Sequence, residues 1–303
     1  QKNIDTIIIK SKTKIKHKYL KHVIDDVNNL SIDKNFESFI ERKKQRMVSK
    51  YYFIKKKPLV DIGILSGQKI GMIIDLAPDF NNFFSGVFGG SKLYGNDWNL
   101  NGEVDSRFEN LWGAMERITF KWKNIDSTNQ SFKISLYHPH LLITGVGLKG
   151  EYNYQIVNNY FTETQFGINI EFFNNYYGSF YVGYKQGDIT STEHGLRKNY
   201  FSTNYKALKF VFEHNSLNRV LLPDKGHKLD IELDIGEDKL INELYVKTKL
   251  NFIGFSNFFH KINFCLKSYN DLIKPFQGEI GLSRQISFGG VNSLRGFNDN
   301  QFK

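Results

Sequence analysis

The chain holds 303 residues with a net charge of +10, 40% hydrophobic and 15% aromatic residues, and a mean hydropathy of -0.42. No run of about eighteen apolar residues occurs, which excludes membrane-spanning helices. A single cysteine, Cys265, excludes an internal disulfide framework and an all-cysteine metal site; it falls in a strand pattern and reads as inert packing.

The charge is uneven. Residues 1–76 carry 17 Lys+Arg against 8 Asp+Glu, a net of +9, whereas the remainder carries 24 against 23. The lysines read as scattered over helices and turns, and no nucleic-acid motif accompanies them. An anionic membrane surface is the functional reading of that charge, beside a plain solvated face.

In chain order, Ile4 and Ile7 to Ile9 form a β-branched run, a strand signal. Tyr19, Leu20, Val23, Ile24 and Val27 then recur at helical spacing. Ser31-Ile32-Asp33 offers cap residues for a second helix, with Phe36, Phe39, Ile40, Met47 and Val48 on one face. After Lys50 the pattern turns extended over Tyr51 to Ile54, Val60 to Leu65 and Ile70 to Leu76, with Ser66-Gly67-Gln68 as a hairpin turn. The order β-α-α-β-β predicts a small α+β domain over residues 1–77.

Residues 78–303 read as strands. Leu229, Ile231, Leu233 and Ile235 alternate with Asp230, Glu232 and Asp234. Phe166, Ile168, Ile170 and Phe172 alternate with Gln165, Gly167, Asn169 and Glu171. Eleven candidates follow: 83–92, 98–108, 114–123, 131–138, 143–155, 160–173, 176–188, 201–214, 226–237, 243–255 and 260–271. Period two alone fits both a soluble sandwich and a membrane barrel. Segments of ten residues or more favour tilted membrane strands. Tyr176, Tyr177, Tyr200, Phe201, Phe258 and Phe259 at strand ends read as interfacial girdles.

Enzyme signals dissolve on inspection. Gly145, Gly147 and Gly150 match GxGxxG, but a strand pattern follows where a dinucleotide site needs a helix. His138-Pro139-His140 reads as a turn pair without further ligands at metal spacing. The acids Glu103, Asp105, Glu171, Asp230, Glu232 and Asp234 read as a wetted face balanced by Arg107, Lys133, Lys247, Lys249 and Lys267. The expectation is a protein that is not an enzyme and uses no cofactor or metal.

Two motifs carry a family resemblance. Phe288-Gly289-Gly290-Val291-Asn292-Ser293-Leu294-Arg295-Gly296-Phe297 places an arginine among glycines that permit close backbone approach. Glu213 to His227 is a stretch with a turn containing Pro223 and Gly226 before a strand candidate. Together with the domain order they resemble the bacterial outer-membrane assembly-factor superfamily of BamA/TamA-type surface-antigen barrels. The resemblance implies a POTRA-like periplasmic domain, then an antiparallel transmembrane β-barrel of which about eleven strands are present. By the family's pattern, about five further strands follow Lys303, on this polypeptide or another.

The same resemblance implies assembly of outer-membrane proteins, or polypeptide translocation, by strand pairing at a barrel seam. Phe83, Phe84, Gly86, Val87, Gly89 and Gly90 are the candidate seam strand. Phe288, Gly289, Gly290, Leu294, Arg295, Gly296 and Phe297 form the functional loop, with Arg295 turned into the lumen and Arg284 of minor weight. Implied partners are outer-membrane lipid, nascent outer-membrane or secreted polypeptides and accessory periplasmic lipoproteins, with no nucleic acid. The alternative is a passive or gated outer-membrane pore.

Overall fold

The computed structural model describes residues 2–25, 31–32, 36–65, 69–92, 98–126, 128–141, 146–175, 178–217, 223–258 and 262–286. The N-terminal part runs β1 (Lys2–Asn3), β2 (Thr6–Ser11), α1 (His17–Asp25), β3 (Ser31–Ile32), α2 (Phe36–Lys50), β4 (Leu59–Ile64) and β5 (Ile70–Leu76). Its main sheet has the order β2-β5-β4, with β2 parallel and β4 antiparallel to β5. Val23 of α1 and Ile40 and Met47 of α2 bury against Met72, Ile74 and Leu76 of β5, as apolar side chains at helical spacing dictate.

Two local expectations change. Tyr51 to Ile54 is not a strand. Tyr51 N–H donates to the Met47 carbonyl and Ile54 N–H to the Tyr51 carbonyl, a turn that ends α2. That turn drops Tyr51, Phe53 and Ile54 into the core, so an apolar run is spent on burial rather than on a ladder. Ser31 and Ile32 pair with Asn3 and Lys2 as a short bridge rather than capping α2, while Asp33 and Ser66-Gly67-Gln68 lie outside the described residues.

The rest is one antiparallel sheet of eleven strands in sequence order. The strands are β6 (Phe83–Lys92), β7 (Trp98–Glu109), β8 (Arg117–Asp126), β9 (Asn129–His138), β10 (Gly147–Val157), β11 (Phe161–Asn175), β12 (Gly178–Ser191), β13 (Thr203–Asn215), β14 (Gly226–Asp238), β15 (Glu243–Phe258) and β16 (Ile262–Pro275). β10 contains Gly147 and Gly150 and continues as strand, so the GxGxxG match opens no helix. A short helix α3 (Glu193–Leu196) sits between β12 and β13.

The sheet is inside-out relative to a water-soluble one. Leu208, Ile231, Ile235, Phe166, Ile168, Ile170 and Phe264 are exposed on one face. On the other, Asp234 is 0% exposed, Asn169 3% and Lys185 5%. Register enforces this, because Ile168, Tyr184, Leu208, Ile235 and Val246 are successive cross-strand partners, and side chains directly opposite share a face. Apolar outside and charged inside is the arrangement a hydrocarbon solvent selects.

One girdle expectation and one packing expectation are corrected. Tyr200 stacks on Tyr160 at 4.6 Å and packs with Val157, Phe161 and Ile189 in a cluster at one end of the sheet. Cys265 is exposed on β16 rather than packed, because no strand lies beyond β16 among the described residues. Tyr176, Tyr177 and Phe259 lie outside the described residues.

The opposite end of the sheet is joined to the N-terminal domain through the turn 110–116. Met115 is fully buried in the domain's own core. Tyr52 Oη donates to the Met115 and Glu116 carbonyls at 2.9 and 3.1 Å, and the Arg117 guanidinium lies 3.6 Å from the Tyr52 ring centroid. Burial, then the nearby Glu109 carboxylate, push the Tyr52 phenol well above its usual range. Gly113, at φ 70°, accepts from Lys16 N–H at 2.9 Å; a side chain there would be strained and would meet Lys14 and Lys16. His140 is fully buried in the same joint, stacked 5.1 Å from His22 and near Tyr51, so the His138-Pro139-His140 segment is packing rather than a surface turn.

Met115→Ala should therefore loosen the joint by about 3 kcal/mol, within the range for emptying a buried methionine site. Limited proteolysis of the whole protein should show faster cleavage in residues 1–77 and unchanged protection of the sheet. Equal cleavage rates would show that the shared core adds nothing.

Candidate functional site

β6 is the first element of interest. Among the described residues it pairs with β7 alone, so its second edge presents unpaired backbone groups. Phe84, Val87 and Phe88 are exposed on it. A Cβ placed on Gly89 would meet nothing within 4 Å. That glycine is thus no packing requirement; it leaves the strand without a side chain and weakens its order.

The start of β6 is clamped by contrast. Asn81 N–H donates to Glu109 Oε2 at 2.7 Å and Glu109 N–H to Asn82 Oδ1 at 2.6 Å. Arg117 Nε holds the other Glu109 oxygen at 2.8 Å. The strand is pinned where it leaves the N-terminal domain and weak where its glycines gather.

The second element is the segment after β16. It folds against the inner face at the end remote from the N-terminal domain. Ile280, Ser283 and Arg284 are buried. Arg284 Nε meets Asp238 Oδ2 at 3.1 Å, and its guanidinium lies 3.5 Å and 4.7 Å from the Tyr205 and Tyr245 centroids. Register explains the assembly: Tyr205 is the cross-strand partner of Asp238, and Gly236 that of Tyr245. Thr203 Oγ1 and Leu240 N–H donate to the other Asp238 oxygen at 2.6 and 3.0 Å. Tyr205 Oη donates to Glu163 at 2.5 Å, and Ser283 Oγ to the Phe201 carbonyl at 2.9 Å.

Arg284 is the residue that sequence reasoning passed over. Nothing in its neighbours distinguishes it, and only the fold brings Asp238 and two tyrosines to it. Arg295 and the rest of the motif, Phe288, Gly289, Gly290, Leu294, Gly296 and Phe297, lie outside the described residues. The described segment leads directly into them.

Between these elements the inner wall carries an ion-pair network around a recess of about 220 Å³. Lys185 pairs with Asp234 and reaches Glu232 at 3.6 Å; Lys209 meets Glu232 at 3.1 Å; Lys149 meets Glu151 at 3.1 Å. Asp105 pairs with Lys121 at 3.1 Å. Asp105, Asp234 and Glu232 thus make their closest ion pairs with Lys121, Lys185 and Lys209, although the register sets Lys247 and Lys249 directly opposite Asp234 and Glu232. At the turn singled out by Pro223 and Gly226, Gly226 opens β14 at φ 98°, and an added Cβ would collide with the Ser216 carbonyl.

Arg284→Ala should free segment 276–286 from the wall. Removing one partner of a buried pair costs about 3–5 kcal/mol, less where water reaches it. Arg284→Lys keeps the charge but loses the flat stacking on both tyrosines and should fall between. Protease cleavage within 276–286, scored for both variants with Asp238→Asn as the second arm of a double-mutant cycle, checks this. Equal cleavage of Arg284→Ala and the parent would make the contact incidental.

The comparisons agree with this geometry. A family model, the Omp85 superfamily domain, matches residues 95–303. Among solved structures, BamA from Haemophilus ducreyi lacking POTRA domains 1-3 aligns at TM-score 0.58 and 16% identity, over 97% of this chain and 60% of that one. CdiB from Acinetobacter baumannii aligns at 0.56 and 13%, over 98% and 56%. CdiB from Escherichia coli aligns at 0.56 and 12%, over 96% and 58%. The chain thus spans about three fifths of the length of these structures. No curated protein matches it in sequence. The family match, the inside-out sheet and the strand order lead to one conclusion: the chain belongs to the Omp85 superfamily, the outer-membrane superfamily that its motifs resemble.

Proposed function

We propose that this protein inserts outer-membrane proteins, or translocates polypeptides, by pairing their strands with β6. The observation that carries the reading is the asymmetric edge. β6 is clamped at Asn81 and Asn82, weakened at Gly86, Gly89 and Gly90, and paired on one side among the described residues. An edge of this kind is a template for an incoming strand, whose main chain supplies affinity while side-chain pockets select. We read the β-α-α-β-β domain as a POTRA-like module on the periplasmic side, where it receives unfolded substrate or accessory lipoproteins. No bond-making chemistry, cofactor or metal enters this reading.

A second reading, a gated pore, draws support from the charged inner wall and from the Arg284 segment lying across it. Proline scanning of β6 separates the two. A proline whose missing N–H faced β7 breaks the sheet; one whose N–H faced the free edge leaves the sheet intact and removes a donor for the substrate. Prolines at Phe84, Ser85, Val87 and Phe88 should therefore divide into two alternating classes. One class should lose heat-modifiability, and the other should keep it while losing substrate-barrel insertion. Insertion that falls only where the fold is lost would discard strand pairing, and ion conductance unchanged in the edge-facing class would then favour the pore.

A further inference from the structure

The lysines of the N-terminal domain are not scattered. Lys10, Lys12, Lys14, Lys16 and Lys18 occupy every second position, and all five are exposed. Between them Ser11 and Thr13 are half-buried and Ile15 is buried in the core. Over the extended part of this stretch, alternate residues point the same way, about 7 Å apart. The result is a row of ammonium groups along the end of β2 and into α1. None of Lys10, Lys12, Lys14 and Lys16 has an ion-pair partner among the described residues, whereas Lys44, Lys55 and Lys57 elsewhere in the domain do.

The row is fixed to the rim of the sheet. Lys16 N–H donates to the Gly113 carbonyl at 2.9 Å and Asn110 Nδ2 to the Lys14 carbonyl at 3.1 Å. Thr13 Oγ1 donates to the Pro78 carbonyl at 3.4 Å, just before β6. The turn that receives these bonds exposes Leu111 and Trp112. Exposed tryptophan beside lysine at the end of a lipid-facing sheet is the composition of a bilayer interface. Finally, α1 begins with His17 and Lys18 and has no acid in its first turn, a choice that opposes the helix dipole and that an external anion would offset.

We propose that the Lys10–Lys18 row, with Trp112 and Leu111, is a docking surface for anionic phospholipid headgroups of the leaflet beside the N-terminal domain. It rests on the reading of the sheet as a membrane barrel. Its occupant is the protein's own bilayer, which lies at the height of the turn and is complementary in charge. The surface would hold the domain close to the membrane and set its tilt against β6. Each lysine brought to an anionic surface contributes about a fivefold gain in partitioning, and the attraction decays over roughly 8 Å at physiological ionic strength.

The test uses the whole chain carrying Cys265→Ser and Lys14→Cys, labelled with an environment-sensitive probe. It is reconstituted into phosphatidylcholine vesicles with or without phosphatidylglycerol. Headgroup-level spin-labelled lipid quenches the probe, and protease protection of β6–β16 scores insertion separately. Quenching should be several-fold greater with phosphatidylglycerol at low salt. It should fall towards the neutral-vesicle level in high salt and in a variant carrying Lys10→Gln, Lys12→Gln, Lys16→Gln and Lys18→Gln. Lys55→Gln, Lys56→Gln and Lys57→Gln together should leave it unchanged. Quenching equal in the two lipids, or unchanged in the row variant, overturns the proposal. A probe that ignores lipid and answers only to polyglutamate overturns it in favour of an acidic polypeptide. Protected strands without lipid-dependent quenching sink the row alone. Unprotected strands with row-dependent quenching sink the barrel reading and leave the row.

Discussion

The backbone hydrogen bond governs this structure more than any side chain does. In hydrocarbon no water is available to an unpaired N–H or C=O, and each one costs several kcal/mol. A chain facing that solvent with strands alone must give every strand two neighbours. An antiparallel meander of hairpins achieves this with short connections, and β6 to β16 follow one another in that way. The rule makes the two outermost strands, β6 and β16, the most consequential part of the sheet, because among the described residues each has one strand neighbour. Side-chain polarity then follows from the same solvent. Leucine, isoleucine and phenylalanine turn outward, and the charges are forced onto the inner wall.

Charges so confined must find one another. Lys185 sits between Asp234 and Glu232, Lys209 between Glu232 and Glu151, and Asp238 receives Arg284, Thr203 and the Leu240 N–H. Such a wall is a lattice of opposed charges that reaches over intervening strands, from β12 to β14 and from β13 to β10. Segment 276–286 is held on it in two ways, Arg284 by charge and aromatic faces and Ile280 by burial in the apolar cluster with Val157 and Phe161.

Much of the strand pattern is written in alternation. The stretch Leu229 to Ile235 announces both its conformation and its two faces, and β6 spans Phe83–Lys92, the bounds its pattern predicts. What alternation does not carry is pairing across strands. The Arg284–Asp238 contact spans 46 residues and depends on a register visible only after folding. Tyr51 to Ile54 misled because an aromatic-aliphatic run satisfies a buried turn as well as a strand. The lysine row was legible in principle, since Lys10 to Lys18 alternate as cleanly as any strand. A count of net charge hides that order, because it discards position. The order of the longer elements, β2-α1-α2-β4-β5, was legible because helices and strands have different periods, whereas the two-residue strands β1 and β3 carry no period to read.

The shared core at Met115 has a mechanical meaning. A residue from the hairpin that joins β7 and β8 completes the interior of the N-terminal domain, and Tyr52 and Lys16 are bonded to the same hairpin. The two parts are not beads on a string. Any rocking of the domain bears directly on that hairpin, and β7 is the sole neighbour of β6 among the described residues. The domain is therefore a handle on the strand next to the open edge, and a load applied at one end of the molecule arrives first where the sheet is easiest to part.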